Sequence, residues 1–296
     1  MYAITAVTGN VGGHVARALL AAGRPVRAIV RSQSKAAEWA QAGAQVAVAD
    51  FTDADALSAA LAGTDGAFVM LPTELSGTDA SHRAMADSIA QAVAASGVPH
   101  VAMLSSMGAG LAEGTGPIRW LYHLENRLRA TGTVVTAVRS PHFQEKFALT
   151  LGSVTSEGIY PVMASTAELP IPMAATVDIG GAIAHFLQSS PQESQIVDLQ
   201  APSYTETDVA KVLAAKLSRD VRVVLVPREG WLTAFESTGL PAPIARELVE
   251  MYEADDDGLL QPTSNLTFVC TTALDVTVDR VLQAARPSGM PDDRPQ

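Results

Sequence analysis

The chain has 296 residues, 48% hydrophobic and 17% charged, the balance of a folded globular protein with ample core material. A net charge of −11 argues against a broad basic surface for nucleic acid. The single cysteine, Cys270, excludes an internal disulfide. The length suggests one large unit or two interleaved ones. A reducing, cytoplasmic location is the expectation: Tyr2 to Val7 already reads as a strand with no charged leader, and no apolar run approaches a membrane span.

In chain order, the strand Tyr2 to Val7 meets the turn Thr8-Gly9-Asn10-Val11-Gly12-Gly13, and an Ala/Leu-rich helix runs to Leu20. A second strand spans Val26 to Val30, and a helix from Ser34 to Ala42 stops at Gly43. A third strand is Gln45 to Ala49, and the next helix takes Thr52 or Asp53 as N-cap. Strands Gly66 to Leu71, His100 to Leu104 and Thr133 to Val138 alternate with helices from Thr78 to Ser96 and Leu121 to Ala130. This alternation implies a doubly wound α/β fold, a parallel sheet covered on both faces. Ligands of such sheets bind at the carboxyl ends of the strands.

Beyond Ser140, prolines break the pattern into short mixed segments. A helix fits Asp178 to Gln188 and a strand Gln195 to Leu199, so the 176–200 stretch is expected to complete the sheet of a dinucleotide-binding domain formed by residues 1–150. Thr205 to Leu217 reads as a helix, Val221 to Val226 as a strand, and Arg228 to Ser237 and Pro243 to Tyr252 as helices. Residues 151–285 are thus expected to form a smaller C-terminal α+β part that contacts substrate. The Pro-rich tail 286–296 reads as disordered.

A strand, a Gly-rich turn and a helix in succession form a phosphate-binding arrangement. Glycine permits a positive-φ turn and a close backbone approach, while the helix N-terminus offers free N–H groups and partial positive charge. Thr8, Gly9, Asn10, Val11 and Gly12 are the expected contacts; the alternative is an ordinary turn. Arg31 ends the second strand, where NAD-preferring folds carry an acidic residue for the ribose 2′-hydroxyl. With Ser32 and Lys35 beside it, its guanidinium suits a 2′-phosphate, so NADP is expected over NAD, NADPH over NADH. The alternative is a solvated arginine.

Glu253 to Asp257 reads as a solvated acidic loop lacking the ligand spacing of a Ca²⁺ site. The sequence carries no Cys/His metal set, no Gly-x-Ser-x-Gly elbow and no Walker loop with its lysine. Cys270, in an apolar β-like run, reads as a buried thiol.

Six motifs in order resemble the NmrA-like group of atypical short-chain dehydrogenase/reductases, which have a Rossmann fold. They are Thr8-Gly9-x-x-Gly12-x-x-Val15, Val26 to Arg31, Asp50-Phe51, Ala67 to Pro72, Leu104 to Ser106, and Arg139 to Lys146, the last resembling Arg-Pro-x-x-Phe-x-Glu-Asn. Glu125 to Gly132 and Val177 to Gly180 add to the match, which covers Tyr2 to Val226. In this register Val15 stands at the usual third glycine, which would hold helix and strand slightly apart. The resemblance implies that Asp50 and Phe51 flank adenine, although Asp50 also suits a turn-capping role. It implies that Leu71 and Pro72 run beneath the nicotinamide riboside, with Ser105 nearby.

The wider superfamily transfers protons with a Tyr and a Lys four residues later; the aligned positions here hold Pro117 and Leu121. Ser105, Tyr122, His123 and His142 are the polar groups left near the acceptor, with Ser105, Tyr122 and His142 the weak catalytic candidates. Each histidine also suits a structural role. Phe143 is expected in the substrate pocket, as a stacking ring or a core contact. The implied function is NADPH-dependent reduction of a small quinone-like or aromatic acceptor without the Tyr/Lys pair. The alternative is an NADP(H) sensor that acts through a protein partner, whereas a sugar-nucleotide epimerase would require the absent Tyr. No membrane or direct nucleic-acid partner is expected, and a homodimer stays open.

Overall fold

The computed structural model describes residues 1–189 and 191–285, so the expected disordered tail lies outside the described residues. The first half contains β1 (Tyr2–Ile4), α1 (Asn10–Ala21), β2 (Val26–Val30), α2 (Ala36–Gln41), β3 (Gln45–Val48) and α3 (Ala54–Leu61). There follow β4 (Gly66–Val69), α4 (Asp79–Ser96), β5 (His100–Ser106), α5 (Ile118–Arg129) and β6 (Val134–Ser140). Next come β7 (His142–Phe143), α6 (Leu151–Glu157), β8 (Ile159–Val162), β9 (Ile171–Ala174), α7 (Thr176–Ser189) and β10 (Gln195–Gln200). The rest is β11 (Ser203–Tyr204), α8 (Glu206–Leu217), β12 (Arg222–Leu225), α9 (Trp231–Ser237), α10 (Ala242–Asp256), β13 (Thr267–Val269) and α11 (Leu274–Ala284).

Eight parallel strands form the main sheet in the order β13-β10-β6-β5-β4-β1-β2-β3. Strand order reverses between β1 and β4, which opens a crevice at their carboxyl ends. The central strands are apolar on both faces because both are covered; all four residues of β4 are buried. One core joins α3, α4 and α5 to the sheet, and the other joins α1, α2 and α7 to it. A third core gathers Phe147, Val154, Tyr160, Val162, Met173, Leu213, Leu274 and Val278. Two short sheets, β11-β9-β7 and β12-β8, lie apart from the main sheet.

Local signals set the helix ends. Asp53 caps α3 by accepting the Ala56 N–H, and Thr78 closes a capping box with Ser81 on α4, which ends at the left-handed Gly97. Residues 176–200 supply α7 and β10, and β10 is a strand of the main sheet.

Three differences from the sequence reading have physical causes. The sheet also takes in β13, because Cys270 N and Asp198 N close backbone hydrogen bonds between this short segment and β10. The acidic run is no loop: Glu253 to Asp256 form the last turn of α10, since no helix breaker precedes Gly258 and the charges have partners. Arg228 binds Glu253 and Asp257, His142 binds Asp255, and the Ser165 N–H donates to Asp256. Finally, α11 packs its apolar face into the third core.

Candidate functional site

The loop from β1 to α1 has glycine roles one triplet earlier than the sequence register placed them. Gly9 has φ −94°, so it does not make the positive-φ turn; Ala6 does, at φ +49°. A Cβ on Gly12 would lie 2.6 Å from the Thr5 carbonyl oxygen and closer still to that of Ala6. Gly12 is therefore the residue that lets α1 pack onto β1, the third-glycine role. Val15, one turn deeper, is fully buried in the core and does not hold helix and strand apart. The spacing is Ala6-x-x-Gly9-x-x-Gly12, with alanine where the turn favours glycine.

The N-terminus of α1 suits an anion. Gly9, its N-cap, provides no side-chain hydrogen bond, and the first turn has no acidic residue, so the leading N–H groups stay open. In front lies a hollow of about 290 Å³ lined by Val7, Thr8, Gly9, Asn10, His14, Arg17, Lys35 and Glu38. Arg17 donates to Glu38 at 2.9 Å and lies over the Trp39 ring. Sequence reasoning missed Arg17 and His14; their three-residue spacing on α1 is the signal that places both on one helix face. Burial keeps the His14 imidazole below its ordinary range, with Arg280 and Arg17 adding to the effect.

Arg31 stands exposed just beyond β2. Asp50 accepts from the Thr52 N–H at 2.9 Å and the Thr52 hydroxyl at 2.6 Å. Those hydrogen bonds, with a smaller contribution from Arg31, hold its carboxyl below the usual range. Asp50 thus fills the turn-capping role. Phe51 is buried in the core beneath it.

At the carboxyl ends of β4, β5, β6 and β10 opens a cleft of about 1010 Å³. Its walls include Met70, Leu71, Leu104, Ser105, Trp120 and Phe143 on the sheet side. On the other side are Pro170, Ile171, Met251, Tyr252, Leu260 and Pro262. Pro72 is not among the lining residues. The cleft's roof lies close on glycine: at Gly116, φ +53°, a Cβ would sit 2.9 Å from the Met251 N and nearer still to the Glu247 carbonyl. Arg119 reinforces that closure by binding both Asp79 and Glu247.

The four polar candidates separate cleanly. Ser105 reaches the cleft, but its hydroxyl donates to Glu125 at 2.6 Å. Glu125, 1% exposed, also accepts from Arg139 and Arg129, and Arg139 donates in turn to Thr263. Tyr122 does not line the cleft, and His123 pairs with Asp87 away from it. His142 lines the cleft with one nitrogen 2.9 Å from Asp255. Pro117 and Leu121 also line it.

Behind the far wall, Glu206 accepts from Lys146 at 2.6 Å and from the Tyr160 hydroxyl at 2.7 Å. Burial pushes the Tyr160 phenol far above its ordinary value, and pushes Tyr252 up to about 12, helped by Glu206 and Asp255. Lys146, Tyr252 and Asp255 escaped the sequence reading because only the fold brings α10 over β7. The Cys270 thiol is buried and raised to about 12 by that burial, an inert side chain. Among the described residues no helix is long and apolar enough to cross a membrane, and no cluster of metal-ligating side chains occurs.

A doubly wound sheet, a Gly-rich loop before an uncapped helix and a large apolar cleft at the strand ends define a Rossmann-type dinucleotide fold. The chain belongs to the NmrA-like family, whose pattern matches residues 2–287 and so extends past Val226 into the C-terminal part. It is 27% identical over 278 residues to the NAD(P)H azoreductase of Xenophilus azovorans, covering 94% of this chain and 93% of the relative. It is 26% identical over 274 residues to quinone oxidoreductase 2 of Escherichia coli, covering 90% and 92%. Among solved structures, an NADPH-dependent quinone oxidoreductase of Escherichia coli complexed with NADPH superposes with TM-score 0.81 at 25% identity, covering 95% of this chain and all of the other. The Citrobacter triphenylmethane reductase complexed with NADP(H) shares the fold at TM-score 0.79 and 23% identity, covering 95% of this chain and 100% of that one.

Proposed function

We propose that the chain is an NADPH-dependent oxidoreductase that reduces a small quinone-like or aromatic acceptor by hydride transfer, without a Tyr/Lys pair. The observation that carries this reading is the position of the apolar cleft, which opens at the carboxyl ends of β4, β5, β6 and β10, on one side of the β1/β4 crevice. The azoreductase and quinone oxidoreductase relatives, aligned over nine-tenths of the chain, support it.

The residues present fit a phosphorylated dinucleotide. The open N–H groups at the start of α1 would hold the pyrophosphate, while Arg31, Ser32 and Lys35 would hold a 2′-phosphate by charge-assisted hydrogen bonds. Leu71 and Ser105 border the cleft and would flank the nicotinamide. When bound, the dinucleotide supplies the hydride, and the protein chiefly orients it. Pro117 and Leu121 in the cleft wall have no proton to give, so the acceptor must suit a site with little acid help from α5. Met, Pro, Leu, Phe and Trp side chains around it favour a flat, conjugated molecule over a sugar.

A thermal-shift comparison tests the reading. NADPH raises the melting temperature more than NADH at equal concentration, and a naphthoquinone raises it further in the presence of NADP⁺. Equal shifts by NADPH and NADP⁺ with no quinone turnover would instead favour a sensor of the NADP(H) pool.

A further inference from the structure

Six titratable side chains line the cleft: His142, Lys146, Asp198, Tyr252, Asp255 and Asp256. Their partners separate them as proton sources. Lys146 is engaged by Glu206, which the Tyr160 hydroxyl also binds. One oxygen of Asp198 accepts the Thr263 and Ser264 N–H groups, and Asp256 accepts the Ser165 N–H. Tyr252 holds its proton too tightly to release it near neutrality, because burial and two carboxylates oppose the phenolate. His142 is different. Its Nε2 is bound to Asp255 at 2.9 Å, while no described residue bonds its Nδ1.

We propose that His142, oriented by Asp255, is the proton donor for the acceptor bound in this cleft. The inference rests on the reductase reading above. A carboxylate on Nε2 fixes the ring's orientation and leaves Nδ1, the nitrogen with no described partner, as the one that can meet a bound acceptor. β7 follows β6 directly, so the ring stands at the same strand-end crest as Ser105 and Ser140. Asp255 is a positioning residue that acts through His142.

The acceptor takes a hydride, one hydrogen with two electrons, from the reduced nicotinamide at one end of its conjugated system. The electron pair displaced from that system comes to rest as an oxyanion at the other end. There the Nδ1–H bond breaks and an O–H bond forms. The products are oxidised nicotinamide, reduced acceptor and neutral imidazole, which water reprotonates. Asp255 contacts His142, and the other charged and titratable groups lining the cleft are Asp256 and Tyr252 from α10, Lys146 with Glu206 behind it, and Asp198 from β10. β9 contributes none.

Two readouts test the assignment on the full chain. The first uses dinucleotide-free protein and follows binding of 2-hydroxy-1,4-naphthoquinone, an anion across the histidine range, by quenching of tryptophan fluorescence. Wild type should lose affinity about tenfold or more as pH rises through that range, since a charge-assisted hydrogen bond is lost. His142→Gln should bind weakly at every pH, Asp255→Asn should bind several-fold more weakly than wild type where wild type binds best, and His123→Gln should match wild type. The second is NADPH oxidation with a quinone: His142→Gln should lower kcat about 100-fold with the KM for NADPH unchanged and the alkaline fall removed. A His142→Gln protein with wild-type kcat and pH profile would overturn the assignment alone. Absence of turnover in wild type would overturn the reductase reading, and this inference with it.

Discussion

Glu125 makes the sharpest test of how the site is held. Its side chain is 1% exposed and accepts from the Ser105 hydroxyl at 2.6 Å, from Arg139 at 3.0 and 2.9 Å, and from Arg129 at 2.9 Å. Arg139 is itself only 5% exposed, and its remaining partner is the neutral Thr263 hydroxyl. In Glu125→Gln the Arg139 charge stays buried without a counter-charge, which should cost about 3–5 kcal/mol. At about 2–4 °C per kcal/mol for a large domain, the melting temperature should fall by roughly 6–20 °C. Replacing both partners, as in Glu125→Leu with Arg139→Met, removes the uncompensated charge. The double variant should therefore lose at least about 2 kcal/mol less than the sum of the singles. Urea unfolding of wild type, Glu125→Gln, the Glu125→Leu and Arg139→Met singles and the double variant reads this out. A Glu125→Gln loss below about 1 kcal/mol, or strictly additive losses, would refute the reasoning.

Other consequences follow from single residues. Ala6 pays for a left-handed backbone, a cost of about 1–2 kcal/mol, whereas glycine there loses only about 0.4–1 through its freer unfolded chain. Ala6→Gly should thus stabilise the protein by about 0.5–1 kcal/mol in urea unfolding; a destabilisation would contradict the positive-φ role. Arg31→Asp should weaken NADPH binding roughly 10- to 150-fold and NADH binding little, measured by fluorescence titration. Burial holds the His100 imidazole below 6.5, with one nitrogen on the Thr136 hydroxyl. As pH falls below about 6.5, the unfolded imidazole takes a proton that the folded one refuses, so stability drops toward the folded value and is unaffected above it. His100→Gln should flatten part of that acid loss in denaturation curves recorded across this range.

The sheet was legible because each strand is short, apolar and followed by a helix with its own stop signal, as at Gly97. The run before Cys270 read as β-like, but its place in the sheet did not show, because β13 is a three-residue edge segment whose position depends on backbone pairing with β10; the last helix was not read. The Gly-rich loop was legible in position but not in register. Sequence spacing fits glycines at 9, 12 and 15 as readily as a triplet beginning at Ala6, and only the backbone angle of Ala6 and the crowding at Gly12 separate the two. Ser105 and His142 were both visible as polar groups near strand ends. Which of them is committed to a buried partner depends on Glu125 and Asp255, residues 20 and 113 positions away in the chain. Lys146, Tyr252 and the roof of the cleft are tertiary in the same sense, since α10 crosses the strand ends from far along the sequence.

The central claim is that the cleft beside the dinucleotide loop performs hydride transfer from NADPH to a conjugated acceptor. The most direct measurement mixes wild-type protein with a naphthoquinone and NADPH deuterated separately on each face of the nicotinamide C4. The account predicts saturable oxidation that slows for one deuterated epimer alone, because a fixed ring presents a single face to the cleft. Oxidation no faster than in the protein-free mixture, or equal slowing for both epimers, would contradict it.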